Sequence, residues 1–208
     1  YVYPSHDVDP PRGCDLMDRY HVFSTDDMVN WTDHGEILNS SQVPWGRPEG
    51  GFMWAPDCAY KNGTYYFYFP HPSETAWNDS WKIGVATSRY PDRDFKVQGY
   101  IKGMDSLIDP CVFIDDDGQA YLYFGNPQLY YVKLNEDMIS YSGEIQKVDM
   151  SQGFGVSSDP DSRTGALYTE GPWFYKRGNL YYMLYAAEGI PENISYSISS
   201  SPTGPWTY

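Results

Sequence analysis

A hairpin pattern recurs three times along this chain and constrains its fold more than any other feature. Each copy has a polar or acidic start, a proline, a short apolar run, a glycine turn and an aromatic run. The copies span residues 54–68, 108–123 and 170–182. In each copy a tyrosine stands three residues after the turn glycine, at Tyr66, Tyr121 and Tyr181. Glycine turns of this kind favour antiparallel hairpins, so each copy predicts a pair of strands.

A second, alternating pattern accompanies the hairpins at residues 20–25, 83–88 and 194–199. Each copy runs into a turn rich in serine and threonine and then into an aromatic residue that we expect to be buried. These aromatic residues are Trp31, Phe95 and Trp206. Residues 130–145 give a looser version. Two hairpins repeated every ~50–60 residues predict four-stranded antiparallel blades of a β-propeller. The alternative is a β-sandwich in which the similarity is accidental.

The aromatic composition agrees with an all-β fold. The chain contains 21 Tyr, 9 Phe and 7 Trp among 208 residues, and these residue types suit half-buried strands. A helical bundle is therefore disfavoured. No apolar run approaches the ~20 residues that a transmembrane helix needs, so membrane insertion is not expected.

The charge balance excludes one large class of partner. With 14 Lys and Arg against 28 Asp and Glu, the formal net charge is −14. Nucleic acids are polyanions that require basic grooves, so a nucleic-acid partner is excluded. A neutral ligand fits better, and sugars fit best, because their ring faces stack on Trp and Tyr while their hydroxyls pair with carboxylates. The expected partner is an oligosaccharide or polysaccharide.

The register of the repeats carries an expectation about the ends of the chain. Residues 1–6 match residues 66–71, which places Tyr1 inside the second strand of a first blade. We therefore expect a single propeller domain over residues 1–208 that holds a partial first blade and blades two to four. The first inner strand and the last blade are expected to lie outside it, together with any targeting signal.

Metal chemistry finds little support in the sequence. The three cysteines, Cys14, Cys58 and Cys111, are too few and odd in number for a disulfide framework, and no zinc-binding spacing occurs. Residues 115–118 read Asp-Asp-Asp-Gly, like the start of a calcium loop, but the later spaced ligands are missing. A hairpin turn is the favoured interpretation, so no metal residue is assigned and no cofactor is required for chemistry.

Two carboxylates stand one or two residues before the repeated proline. Asp109 and Glu170 start the inner strands of successive blades, so we expect them to approach each other at one mouth of the propeller. Two convergent carboxylates are what glycoside hydrolysis needs, and like charges raise the pKa of the one that must donate a proton. Capping or turn formation is the alternative for either residue taken singly.

Four further residues are candidates for substrate binding. Trp54 and Trp173 lie beside the carboxylate motifs and offer rings for stacking on sugar. Asp57 could bind a sugar hydroxyl or anchor the loop after Trp54, and anchoring is slightly favoured. His71 ends a second strand, where either a substrate contact or a hydrogen bond within the loop is open.

These motifs resemble a known family. Residues 54–57 read Trp-Ala-Pro-Asp, residues 108–110 Ile-Asp-Pro and residues 169–172 Thr-Glu-Gly-Pro; residues 22–31 contain a Ser-Thr-Asp-Asp-Met-Val-Asn-Trp segment. In this order and at these intervals they resemble glycoside hydrolase family 43, whose members are five-bladed β-propellers. The resemblance runs through nearly the whole chain and is least characteristic over residues 126–165.

The resemblance implies an inverting hydrolase with three carboxylates. Asp109 matches the residue that tunes and orients the acid, Glu170 matches the general acid, and Trp54 matches a contact to the terminal sugar ring. The family's general base is an Asp on the first innermost strand, which would precede Tyr1, so residues 1–208 alone are expected to be inactive. The family also often holds an ion, such as a structural calcium, near a His of the last blade.

The resemblance also suggests the substrate. It implies release of α-L-arabinofuranosyl or β-D-xylosyl residues from plant-type polymers, and hence an extracytoplasmic location. One rival is a retaining fructan or sucrose hydrolase, although Ile108 replaces the Arg of that clan's Arg-Asp-Pro motif. The other rival is a non-catalytic carbohydrate-binding propeller. The oligomeric state stays open.

Overall fold

The computed structural model describes residues 1–8, 13–189 and 191–208, and within them the chain is almost entirely strand and loop. The strands are β1 (Arg19–Ser24), β2 (Thr32–Asn39), β3 (Asp57–Lys61), β4 (Thr64–Pro72), β5 (Trp81–Ser88), β6 (Lys96–Tyr100), β7 (Cys111–Ile114), β8 (Ala120–Phe124), β9 (Tyr130–Lys133), β10 (Gln146–Lys147), β11 (Tyr168–Arg177), β12 (Leu180–Ala187) and β13 (Asn193–Ser199). Short 3-10 helices occupy Cys14–Leu16, Ser40–Gln42 and Trp77–Asp79. The all-β class is confirmed.

The chain forms two compact units, Tyr1–Ile108 and Asp109–Tyr208. In the first unit, β3, β4, β5 and β6 form a four-stranded antiparallel sheet in sequence order. The β1–β2 pair forms a second sheet. Val2 bridges to Phe23 of β1, so residues 1–3 begin to pair with β1 as β4 pairs with β5. This pairing agrees with the register expected from the repeat.

The second unit contains one four-stranded and one three-stranded antiparallel sheet, in the orders β10-β9-β8-β7 and β11-β12-β13. A bridge from Ile198 to Thr207 continues the second sheet beyond β13. Within each sheet, strands that are consecutive in sequence pair as neighbours, which is the connectivity expected of propeller blades. The looser pattern at residues 130–145 contains the short β9 and ends just before the short β10.

The repeated glycines close the hairpins as predicted. Gly63, Gly118 and Gly178 have φ angles of 81°, 84° and 61°, in the left-handed region that side chains disfavour. Asn62 shares this conformation with a φ of 51°. Asn-Gly at the centre of a two-residue hairpin matches the twist of the flanking strands, so the β3–β4 register is set locally.

Aromatic side chains dominate both cores. Tyr20, Phe67, Phe69 and Phe95 are buried together in the first unit, and Tyr123, Phe154, Tyr168, Phe174 and Trp206 in the second. The burial predicted for Trp31 was wrong, because its side chain is 48 % exposed. Trp31 precedes β2, whose first residues face solvent, and burial along that strand begins at Ile37. No helix in the described ranges is long and apolar enough to cross a membrane.

Candidate active site

Asp109 lies on the segment that leads into β7 and is only 6 % exposed. Its backbone is left-handed, with a φ of 59°, a conformation that Asp tolerates better than most residues. Its Oδ2 accepts a hydrogen bond from the backbone N–H of Gly171 at 3.2 Å. The side chain is thereby held against the start of β11.

Glu170 is aimed by an irregularity in β11. It stands opposite Ala186, whereas Trp173 stands opposite Leu184, so β11 has one residue more than β12 over this interval. Gly171, with a φ of 59°, and Pro172, which has no N–H to donate, occupy the extra length. Such bulges redirect side chains near functional sites. Here the bulge brings Gly171 to Asp109 and leaves the Glu170 carboxylate half-buried.

Asn126 is a further residue of the site that sequence reasoning missed. Its Nδ2 donates a hydrogen bond to Glu170 Oε2 at 2.6 Å. It follows β8 through Gly125, whose carbonyl accepts a hydrogen bond from the Tyr168 hydroxyl at 2.6 Å. Because β8 pairs antiparallel with β7, its end lies beside the start of β7. That topological position was the signal that could have identified Asn126.

Glu170 and Asn126 line a pocket of about 260 Å³ within the second unit. Most of its lining residues are polar or acidic, and they include Glu188, Glu192 and the loop that carries Asp159 and Arg163. Hydroxyl-rich ligands suit such a wall, because carboxylates accept hydrogen bonds from sugar hydroxyls.

The two carboxylates have raised pKa values. Burial raises the pKa of Asp109 to about 7, and the nearby charge of Glu170 adds to the shift, while the hydrogen bond from Gly171 opposes it. Burial also raises the pKa of Glu170, with a further contribution from the charge of Glu192. The pair therefore retains a proton at mildly acidic pH. A carboxylic acid that stays protonated there can act as a proton donor.

The inner strands β7 and β11 are also joined away from the site. The backbone N–H of Phe174 donates to Cys111 Sγ at 3.2 Å. Lys176 Nζ lies 2.9 Å from Asp115 Oδ1 and 2.8 Å from Asp116 Oδ2. The acidic turn at residues 115–118 thus forms salt bridges, in agreement with a hairpin turn. Across the described ranges no three His, Cys, Asp or Glu side chains group as metal ligands.

Trp54 belongs to the first unit and lies in an aromatic cluster. Its ring centroid is 4.7 Å from that of Trp81 and 5.5 Å from that of Phe52, and Trp77 completes the group. Its Nε1 donates to the carbonyl of Cys14 at 2.8 Å, and its own carbonyl accepts from the Tyr20 hydroxyl at 2.6 Å. The ring is half-buried, so its orientation is set while part of its surface stays open.

The other three candidates differ in their surroundings. Asp57 starts β3, and its Oδ1 accepts a hydrogen bond from the Cys58 N–H at 2.8 Å. His71 is fully buried in β4 and accepts from the Arg47 N–H at 3.2 Å, and burial lowers its pKa to about 4. Trp173 is 56 % exposed on β11 and packs beside Tyr175. Asp109, Glu170 and Trp173 thus share the second unit, while Trp54, Asp57 and His71 lie in the first.

Blade-like antiparallel sheets that present a pair of carboxylates with raised pKa define a glycoside hydrolase of the β-propeller class. The family comparison agrees. The model of glycosyl hydrolases family 43 matches residues 12–208, and the chain belongs to this family. The resemblance inferred from its motifs is confirmed, and the chain is a glycosidase.

Similar proteins share this family. The xylosidase/arabinosidase 43A of Humicola insolens is 32 % identical, over 100 % of this chain and 74 % of that protein. A xylosidase/arabinosidase of Bacteroides ovatus is also 32 % identical, over 100 % of this chain and 72 % of that protein. The crystal structure of a β-xylosidase/α-arabinofuranosidase from a compost microbial metagenome, solved with xylotriose in a calcium-free form, matches with a TM-score of 0.82 and 30 % identity. That match covers 99 % of this chain and 72 % of the other.

Proposed function

We propose that this protein releases α-L-arabinofuranosyl or β-D-xylosyl residues from plant-type oligosaccharides and polysaccharides, with inversion of configuration. The observation that carries the mechanism is the pairing of Asp109 with Glu170 through Gly171, in which both carboxyl groups have raised pKa values. The similar xylosidase/arabinosidases support the choice of sugar.

Glu170 is the general acid of this proposal. It is the more exposed of the two carboxyl groups and lines the pocket, whereas Asp109 is buried behind it. Because Asn126 donates to Oε2, the proton of the acid form is placed on Oε1. From there it passes to the glycosidic oxygen as the bond from that oxygen to the anomeric carbon breaks.

Asp109 orients the start of β11 and holds a proton near Glu170. An inverting reaction also needs a base that activates water on the opposite face of the sugar, at roughly 6.5–9.5 Å from the acid. Asp109 accepts a hydrogen bond from Gly171, next to Glu170 in the chain, so it is not proposed as that base. The family resemblance assigns the base to a further Asp on an innermost strand, and that assignment stays a prediction.

Substrate contacts are proposed for the aromatic candidates. The partly open ring of Trp54 and the exposed ring of Trp173 can stack on sugar faces. Asp57 accepts a hydrogen bond from the Cys58 N–H, and the buried His71 accepts one from the Arg47 N–H, which favours anchoring roles for both. Their contact with substrate stays a prediction.

Three other parts of the proposal follow from the substrate class and the family. For a polymeric plant substrate, the proposed location is outside the cytoplasm. A structural calcium ion is compatible with the family resemblance. The partner is the saccharide itself.

The experiment that tests the proposal follows the product by NMR. The full-length gene product is incubated with arabinoxylan and arabinan oligosaccharides while the newly formed anomeric proton is observed. Release of arabinose or xylose with inverted configuration supports the proposal and names the sugar. A retained anomer points to the rival retaining clan, and sugar binding without release points to a carbohydrate-binding propeller. Glu170→Gln is the matched control, and its full activity on natural substrates would remove Glu170 from the mechanism.

A further inference from the structure

Glu192 directly precedes β13, on the wall of the pocket that Glu170 lines. The hydroxyl of Thr169 is 3.1 Å from Glu192 Oε1 and 2.8 Å from the carbonyl oxygen of Ala186. Both oxygens are acceptors, so the hydroxyl shares its proton between them. Thr169 directly precedes Glu170, and this contact connects Glu192 to the segment that carries the acid.

The sheet topology explains why these residues meet. Glu170 of β11 stands opposite Ala186 of β12, and Ala187 stands opposite Asn193 of β13. One end of the three-stranded sheet therefore gathers the start of β11, the end of β12 and the start of β13. Glu192 directly precedes β13, so its position is set by the pairing of β13 with β12 as well as by the hydrogen bond from Thr169.

The charged groups around Glu170 come from several segments. Asp109 faces it from the segment before β7, and the pocket wall supplies Asp159, Asp161, Arg163, Glu188 and Glu192. The Ser158 hydroxyl, in the loop before β11, lies 3.2 Å from Glu188 Oε2 and 3.4 Å from Glu188 Oε1. Asp109 is buried, and its own retained proton weakens its effect on Glu170 at mildly acidic pH. Glu192 is exposed to solvent.

We propose that Glu192, held by Thr169 at the pocket wall, is a positioning residue that keeps Glu170 in its proton-donating form. The inference deepens the proposed function and rests on it. It assigns the role of tuning the acid to a carboxylate outside the Asp109 motif. The raised pKa of Glu170, to which the charge of Glu192 contributes, agrees with this role.

The first test compares the pH dependence of kcat/KM for the full-length gene product and its Glu192→Gln variant on a natural-type oligosaccharide. The alkaline limb of that profile reports loss of the proton from the acid. Removing the charge should move this limb to lower pH by about half a unit or more, because the neighbouring anion no longer opposes ionisation. Since Glu192 is exposed, the shift should shrink in 1 M salt, where the Debye length is ~3 Å.

Matched variants separate charge from structure. Glu192→Asp retains the charge, so its alkaline limb should lie close to the wild-type pH position. Thr169→Val removes the hydroxyl with little change of shape and should give a smaller shift than Glu192→Gln. Glu144→Gln removes one exposed carboxylate ahead of β10, at the outer edge of a different sheet, and should leave the limb in place.

A direct readout does not depend on turnover. The ¹³C carboxyl resonance of Glu170, assigned through its loss in Glu170→Gln, gives the titration midpoint with and without Glu192. An unchanged midpoint and an unchanged limb in Glu192→Gln overturn the inference, even if activity falls. If Glu170→Gln also retains full activity, the proposed function fails as well; if Glu170→Gln is inactive, only the role of Glu192 fails.

Discussion

The carboxylate of Asp109 accepts a hydrogen bond from the backbone N–H of Gly171, the residue that follows Glu170. This bond joins the start of β7 to the bulge of β11, so the two carboxyl groups are positioned by one shared contact. Their environments differ, because Asp109 is buried and Glu170 is half-buried at a pocket. In the proposed function the buried member holds its proton and the accessible member delivers one, a division of labour typical of acid–base sites.

Replacing Asp109 with Asn should lower kcat while leaving the folded structure largely intact. The amide oxygen can still accept the Gly171 hydrogen bond, while the titrating group is lost. We expect kcat on xylo- or arabino-oligosaccharides to fall about 10²-fold, the lower range for acid–base contributions. Steady-state kinetics beside near-UV circular dichroism of the variant measures both effects. Undiminished kcat would exclude Asp109 from the proton chemistry.

The same residue predicts how stability depends on pH. The pKa of Asp109 is raised to about 7 in the folded chain, above its ordinary value. At pH values between the unfolded and the folded pKa, the folded state therefore binds more protons than the unfolded state. The contribution is complete below the unfolded pKa and is lost as pH rises through about 7. Its size is of the order of 4 kcal/mol. The free energy of unfolding, measured with denaturant, should therefore decline as pH rises from 4 to 8, and the decline should be smaller in Asp109→Asn.

His71 predicts the opposite slope. Burial lowers its pKa to about 4, so the unfolded state takes up a proton first as pH falls from about 6.5. Its contribution is present above that range and is lost toward pH 4, by about 3 kcal/mol. Between pH 4.5 and 6.5, the free energy of unfolding of His71→Gln should depend less steeply on pH than that of the wild type. The partly exposed His21 supplies the control, His21→Gln, and equal slopes for wild type and His71→Gln would contradict the prediction.

Asn126→Ala should impair catalysis without changing the charge of the site. The variant removes the donor to Glu170 Oε2, so the acid loses a partner that fixes its orientation. We expect kcat to fall about tenfold with little change in KM. A hydrogen bond to a charged group contributes ~1.5–3 kcal/mol, and the lower end of that range corresponds to about a tenfold effect. Asn126→Asp is the comparison, because a second carboxylate beside Glu170 should move the alkaline limb upward. A larger effect on KM than on kcat would instead indicate a substrate contact.

Gly125→Ala should destabilise the turn that presents Asn126. The φ angle of Gly125 is 121°, and an added Cβ would lie 2.0 Å from the carbonyl oxygen of Gln128. We expect a loss of more than 1 kcal/mol in the free energy of unfolding. Gly143→Ala is a matched control, because its φ is also positive but nothing lies within 4 Å of the added Cβ. Equal effects of the two variants would indicate that backbone strain alone is responsible.

The sequence predicted the parts of this molecule that recur. The hairpins and the positions of Asp109 and Glu170 could be found because each repeat places equivalent residues at equivalent points of a blade. Asn126 and Glu192 occur once each, after β8 and before β13, and their roles depend on a turn geometry and a strand pairing that spacing does not encode. Burial of Trp31 was predicted by analogy with Phe95 and Trp206, and the analogy failed because the start of β2 faces solvent.

The joined inner strands have a consequence for how the enzyme uses its substrate. β7 and β11 are connected beside the acid pair by Asp109 and Gly171 and at their far ends by Asp115 and Lys176. The conformational entropy of aligning the two carboxyl groups is therefore lost when the polypeptide folds, before any sugar arrives. Binding energy from the remote part of an oligosaccharide is then free to distort the ring at the cleaved bond. Longer substrates should accordingly be distinguished from shorter ones through kcat as well as KM.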